Sequence, residues 1–256
     1  MFIDTHTHLY VEQFDMDRRQ VVEEAMNKGV EHFLMPAIDS TYTQKMLDLQ
    51  TQFPKHIHLM AGLHPSHVKE NFQEELAHVK ENFEKLSVVA VGEIGIDLYW
   101  DKTYFKEQQI AFQTQIQWAK ELGLPIVIHA RESFDEIFEI LEQEKSKDLK
   151  GVFHCFTGTL EQAHRAIDYG MVLGIGGVVT FKNGKIDQFL YEIPLEKIVL
   201  ETDTPYLAPT PHRGKRNTSA YIPLIADKLS DIYQLPVNDI AKVTSKTAQK
   251  LFNLPV

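Results

Sequence analysis

Imidazole and carboxylate groups recur at or near the ends of apolar runs in this chain. They are His6 and His8 in Phe2-Ile3-Asp4-Thr5-His6-Thr7-His8, Glu93 in Ala90-Val91-Gly92-Glu93, His129 in Ile126-Val127-Ile128-His129, His154 in Gly151-Val152-Phe153-His154, and Asp203 in Val199-Leu200-Glu201-Thr202-Asp203. Such groups are the usual ligands of a divalent metal ion that works on water. Taken singly, each has a plainer reading. A lone histidine at a strand end is more often a hydrogen-bonded structural residue, and a lone acid there is more often a helix cap or a surface charge. Taken together, so many inward polar groups cannot stay unpaired. One ion is expected on His6, His8 and Asp203, and a second on His129 and His154, with Glu93 bridging them. Paired ions activate one water and stabilise both attacking and leaving oxygens. Asp203 can also take the proton from that water. Acids crowded around an empty site would repel, so replacing Glu93 is expected to spare the metal-free fold.

Other residues suit supporting roles. His64, in Gly62-Leu63-His64-Pro65, either positions substrate or gives a proton, or is simply a turn histidine. Glu201 either hydrogen-bonds a ligating histidine from behind or is an inward charge paired with a lysine. Arg131 faces the same way as His129 and suits a phosphate oxygen, the alternative being a salt bridge to a nearby acid. The stretch His212-Arg213-Gly214-Lys215-Arg216-Asn217 is basic, and Arg213, Lys215 and Arg216 suit an anionic substrate, unless the loop merely offsets charge. Trp100, Tyr104, Phe156 and Tyr206 fall near loop ends and can stack on bases, though packing is the commoner use of such residues. Cys155, next to His154, is expected to point away from the site.

These groups meet only if the fold gathers strand ends. Strand-like runs fall near residues 2–8, 30–37, 57–63, 88–94, 125–130, 151–156, 171–176 and 197–202. Helix-like stretches lie near 16–28, 40–52, 72–85, 104–122, 133–145, 159–169 and 185–191, with two more at 218–233 and 237–252. Within 104–122, Phe105, Phe112, Ile116 and Ala119 share one helical face. Ser133…Glu136 and Thr159…Gln162 have capping-box spacing, and Gly29, Gly123 and Gly170 sit where helices should stop. Eight strands alternating with helices specify a parallel sheet. At 256 residues, 43% hydrophobic, a TIM-like (β/α)8 barrel spanning 1–256 as a single domain is expected, with an open doubly wound sheet as the alternative. A barrel puts catalytic groups at the C-terminal ends of its strands.

The net charge of −10 argues against broad, non-specific binding to duplex nucleic acid. It leaves room for a local anion site, because bound dications reverse the sign of a carboxylate-rich pocket. One cysteine excludes an internal disulfide and fits a reducing cytoplasm. No signal-like or membrane-spanning run is seen, and no obligate protein partner is expected.

The blocks Phe2-Ile3-Asp4-Thr5-His6-Thr7-His8-Leu9, Gly92-Glu93-Ile94-Gly95-Ile96-Asp97, Pro125-Ile126-Val127-Ile128-His129-Ala130-Arg131, His154-Cys155-Phe156-Thr157-Gly158, Leu200-Glu201-Thr202-Asp203-Thr204-Pro205-Tyr206-Leu207 and Pro211-His212-Arg213-Gly214-Lys215-Arg216-Asn217 together resemble the TatD family of metal-dependent deoxyribonucleases, within the amidohydrolase-like barrels. The resemblance implies a TIM-like barrel and Mg2+- or Mn2+-type hydrolysis of DNA, often from the 3′ end of single strands. On ligand chemistry alone the two ions can be Mg2+, Mn2+ or Zn2+. The expected substrate is a DNA strand end or another phosphoester. The alternative is a metal-dependent hydrolase of a small amide or acyl substrate. Many such relatives bridge their ions with a carboxylated lysine, whereas the fourth strand here holds Glu93.

Overall fold

The structure is a computed structural model that describes residues 1–255. Eight strands form one parallel sheet in sequence order: β1 (Phe2–Asp4), β2 (Val30–Met35), β3 (Ile57–Ala61), β4 (Val88–Asp97), β5 (Ile126–Arg131), β6 (Gly151–Phe153), β7 (Met171–Ile175) and β8 (Ile198–Leu200). The sheet closes between its ends. Thr5 N–H donates to Leu200 O, His8 N–H to Thr204 O and Asp203 N–H to His6 O, and Thr7 bridges Thr204 in parallel. Closure leaves no free strand edge, the defining economy of the (β/α)8 barrel.

The bore is filled by one residue from each strand. Ile3, Leu34, Met60, Ala90, Val127, Val152, Val172 and Val199 form a single buried cluster. The helices α1 (Arg18–Asn27), α2 (Thr43–Gln52), α3 (Phe72–Lys85), α4 (Phe105–Leu122), α5 (Phe134–Gln143), α6 (Leu160–Asp168) and α7 (Ile222–Tyr233) follow in sequence, most of them packing a second, larger cluster against the outside of the sheet. Helix α8 (Val237–Phe252) does something different. Its Ala248 and Phe252, with Leu254 beyond it, join the bore cluster and plug that end. No helix among the described residues is long and apolar enough to cross a membrane.

Local signals are used unevenly. Gly29, Gly123 and Gly170 all adopt positive φ, as expected of helix-ending glycines. Thr159 and Gln162 form a reciprocal capping box on α6. Ser133 does not: its hydroxyl donates to Ile96 O and accepts from Arg131 N–H, so it braces β4 and β5 instead of capping α5. Residues 185–191 are short 3₁₀ turns, not an α-helix. A stretch so short has little helical stability of its own, and Tyr233 of α7 holds it by donating to Leu190 O and Ile193 O. The strands are also shorter than the apolar runs suggest. β1 ends at Asp4, β6 at Phe153 and β8 at Leu200, so His6, His8, His154 and Asp203 lie just past the sheet, whereas Glu93 and His129 stay within β4 and β5.

Candidate metal centre

His6 and His8 leave β1 on the extended segment that zips between β2 and the chain after β8, where Thr7 N–H donates to Leu34 O. Their Nε2 atoms face each other at 3.2 Å. Asp203, in left-handed backbone (φ 55°) after β8, brings Oδ1 to 3.4 Å from His8 Nε2 and 3.8 Å from His6 Nε2. Asp4 is not part of this group. It is fully buried and accepts from Thr202 N–H at 3.0 Å and the Thr202 hydroxyl at 2.6 Å, so it ties the end of β1 to the end of β8. Burial pushes its carboxyl up to about 7.

Glu93 occupies the middle. The register of β4 against β5 slips between Val91 and Ile94, and a bulge of this kind re-aims a side chain. Its two oxygens look at different imidazoles. Oε2 lies 3.0 Å from His6 Nε2 and 3.6 Å from His8 Nε2. Oε1 lies 2.9 Å from His129 Nδ1, 3.1 Å from His154 Nε2 and 3.4 Å from His64 Nε2. Acid crowding is therefore not what Glu93 experiences. Burial alone would raise its carboxyl, but His154, His6 and His64 and the hydrogen bond with His129 hold it well below the ordinary carboxylate range.

The imidazoles respond in opposite directions. Burial and the neighbouring His154 lower His6, with which His154 stacks at 3.7 Å between ring centroids. Burial also opposes charge on His154, yet Glu93 and Glu201 drive it well above its usual value. His129 is raised too, against burial, by hydrogen bonds with Asp97 and Glu93. Burial would raise Asp203, but the hydrogen bond with His8 and the charges of His154 and His6 keep it low. The centre is thus a buried cluster in which carboxylates and imidazoles hold one another's charge.

Hydrogen bonds fix two tautomers. The Tyr10 hydroxyl donates to Pro36 O, so its oxygen must accept from His8 Nδ1–H at 2.8 Å. His8 Nε2 faces Glu93 Oε2 at 3.6 Å and Asp203 Oδ1 at 3.4 Å. His64 is the converse. Ser66 N–H donates to its Nδ1 at 3.1 Å, so the ring proton sits on Nε2. Burial, before any charge, lowers His64 to about 4, so the ring is neutral and presents a donor. That suits a group that touches substrate more than a ligand.

The residues fit divalent ions. Within each of three groups, ligand atoms lie within 4.8 Å of one another: His6, His8 and Asp203; His6, Glu93 and His154; and His64, Glu93 and His129. The first matches the expected set. The expected pairing of His129 with His154 is not one of these groups, yet both rings reach Glu93 Oε1, at 2.9 and 3.1 Å, and stack on each other with centroids 5.8 Å apart. Nδ1 of His6, Nδ1 of His154 and Oε2 of Glu201 are buried without a hydrogen-bond partner, uncommon for buried polar atoms. Glu201 lies behind His154. Its Oε1 accepts from Cys155 N–H at 2.6 Å and lies 3.3 Å from His154 Nδ1, though not aligned for a bond. Gly174 makes room, since a Cβ there would fall 2.1 Å from Glu201 Oε2.

A cavity of about 880 Å³ opens over this cluster. His64, Arg131, Arg213 and Lys215 all line it, together with Cys155 and Trp100. Cys155 therefore does not point away: β6 has ended, and a left-handed turn (φ 45°) swings it to the cavity. Among the described residues Arg131 makes no salt bridge to a carboxylate, the alternative expected of it; its guanidinium lies over Tyr99 at 3.9 Å and Trp100 at 5.1 Å. Arg213 lies 3.9 Å over Phe181. Arg216 is a correction. It does not line the cavity but binds Asp17 through both terminal nitrogens, at 2.9 and 2.5 Å, and donates to Gln13 O. Tyr104 hydrogen-bonds Glu70 and Phe156 is buried, so neither is free to stack on a base.

Three residues were not singled out from sequence. Tyr10 sets the His8 tautomer, Ser66 sets that of His64, and Asp97 Oδ2 lies 2.9 Å from His129 Nε2. Of these only Asp97 had a sequence signal, its alternation with Glu93.

The sequence model described as "TatD related DNase" matches residues 3–253. The chain is 36% identical over 255 residues to the uncharacterised metal-dependent hydrolase YabD of Bacillus subtilis, covering 99% of this chain and 100% of that one. It is 30% identical to the 3′-5′ ssDNA/RNA exonuclease TatD of Erwinia tasmaniensis, covering 98% and 99%. The crystal structure of YjjV, a TatD homologue from Escherichia coli, superposes with a TM-score of 0.93 at 30% identity, covering 99% and 98%.

Proposed function

Because this chain belongs to the TatD related DNase family of metal-dependent hydrolases, we propose that it is a two-metal phosphodiesterase acting on DNA, releasing nucleotides from the 3′ end of single strands. One observation carries the two-ion reading. The two oxygens of Glu93 face separate sets of imidazoles, His6 and His8 on one side and His129, His154 and His64 on the other. His6, His8 and Asp203 would hold one divalent ion, and His129 and His154 the other, with Glu93 between them. Mg2+, Mn2+ and Zn2+ all accept such ligands. When bound, the ions would acidify a water and offset negative charge on the phosphoryl group.

The chain's own residues do the rest. Asp203 is held ionised and can accept the proton of the attacking water. His64, neutral with Nε2–H directed into the site, donates to a phosphoryl or leaving oxygen. Arg131, Arg213 and Lys215 hold backbone phosphates along the cavity wall. A narrow cationic mouth on a body of charge −10 favours a strand end over a duplex interior. Cytoplasmic action, with no obligate protein partner, belongs to the same reading.

The test is incubation of Mn2+- or Mg2+-reconstituted protein with 3′-labelled single-stranded DNA. Stepwise release of mononucleotides is expected, and none from His6→Ala. No release by the wild type, with hydrolysis of small amides or acyl esters instead, would overturn the reading in favour of carbonyl chemistry.

A further inference from the structure

Trp100 is 69% exposed, yet it lines the same cavity as Glu93 and His129. A large indole left open beside a polar centre is unusual enough to ask what covers it. It is not loose. Asp97 accepts from Tyr99 N–H at 3.0 Å and Trp100 N–H at 3.2 Å through Oδ1, while its Oδ2 lies 2.9 Å from His129 Nε2. One carboxylate thus fixes both the indole's backbone and an imidazole of the metal centre. Tyr99 braces the indole edge-to-face, with centroids 4.8 Å apart at 86°. The Arg131 guanidinium lies over both rings, a cation ready for a backbone phosphate next to the platform.

We propose that Trp100, braced by Tyr99 and Arg131, is the stacking platform for the unpaired nucleobase next to the cleaved bond. The proposal rests on the nuclease reading and adds how the strand is selected. A base must be free to stack, so a base locked in a duplex or missing from the sugar engages the site less well. The platform tolerates any base, because every base offers a π-face.

The experiment uses intrinsic fluorescence. The chain has two tryptophans, and Trp118 of α4 packs on Phe83 of α3, away from the cavity. Trp118→Phe therefore makes Trp100 the reporter. Mg2+-loaded protein at low ionic strength is titrated with end-labelled, phosphorothioate-linked oligothymidylate, which resists hydrolysis, and with an abasic strand of the same linkage and length, following emission and anisotropy together. Expected are quenching by oligothymidylate and affinity for it roughly tenfold above that for the abasic strand, a preference that Trp100→Ala brings close to one. In the metal-loaded enzyme, Trp100→Ala should raise KM for thymidine ends more than it lowers kcat. Unchanged emission on a strand that anisotropy shows to be bound, or equal affinity for both strands, overturns the platform. So does a lack of binding to either strand. Quenching with base preference but no cleavage under any metal supports the platform and overturns the nuclease reading alone.

Discussion

At Glu93 the immediate neighbours are imidazoles, and that decides what its loss does. Glu93→Gln should lower turnover by more than about 10²-fold, the scale of removing a group that acts on the reacting atoms. It should also lower the unfolding midpoint of the metal-free protein, because buried, raised His154 and His129 lose their counter-charge; an unchanged midpoint with intact secondary structure would contradict this. The basic loop divides at residue scale. Lys215→Ala should weaken single-strand binding and reduce the salt slope by about 1. Arg216→Ala should act as Asp17→Ala does, each costing at most about 1 kcal/mol as an exposed pair, and the double variant should cost no more than either. Unfolding and DNA-binding titrations at several salt concentrations separate the two. From sequence the loop reads only as positive. Which of its cations reaches the cavity depends on Asp17, some 200 positions earlier in the chain.

Between β2 and β3 the fold carries a histidine pair remote from the metal centre. His32 Nδ1 and His58 Nε2 lie 2.9 Å apart. Burial, then His32 and His56, lowers His58 to about 4, and burial lowers His32 as well. A histidine lowered on folding contributes stability that is fully present above its unfolded value, near 6.5, and lost as pH falls through its folded one. This pair should therefore contribute a loss of stability between about pH 6.5 and 4. His58→Gln should flatten that slope by on the order of 1 kcal/mol once partial exposure is discounted, measured by urea unfolding at a series of pH values. Most element types were legible from periodicity and glycine stops, the 3₁₀ turns at 185–191 being the exception. Element ends were less so. Apolar runs continue past the sheet at Thr5-His6, Cys155 and Thr202-Asp203, because there the backbone bonds across the barrel seam or turns left-handed, and no pattern of side chains announces that.

Across the whole molecule, the convergence of His6, His8, Glu93, His129, His154 and Asp203 was legible as a constellation because the closed barrel turns scattered strand ends into one mouth. The tautomer-setting partners were not, since Tyr10–Pro36 and Ser66–His64 act through turns and carbonyls without a residue signature. If the cluster binds metal in the folded state alone, Mn2+ at a hundred times its Kd should raise the unfolding free energy by about 2.7 kcal/mol per site. A chelator should abolish the gain, and His8→Ala should forfeit part of it; identical unfolding curves with and without metal would count against the site. The seam joining His6 to Asp203 also has a consequence in time. At about 5–20 residues per second, a ribosome makes the first histidines roughly 10–40 s before the aspartate that completes their set. On the proposed ligand set a nascent chain holds only part of the site during that interval, so metal loading would follow the emergence of β8.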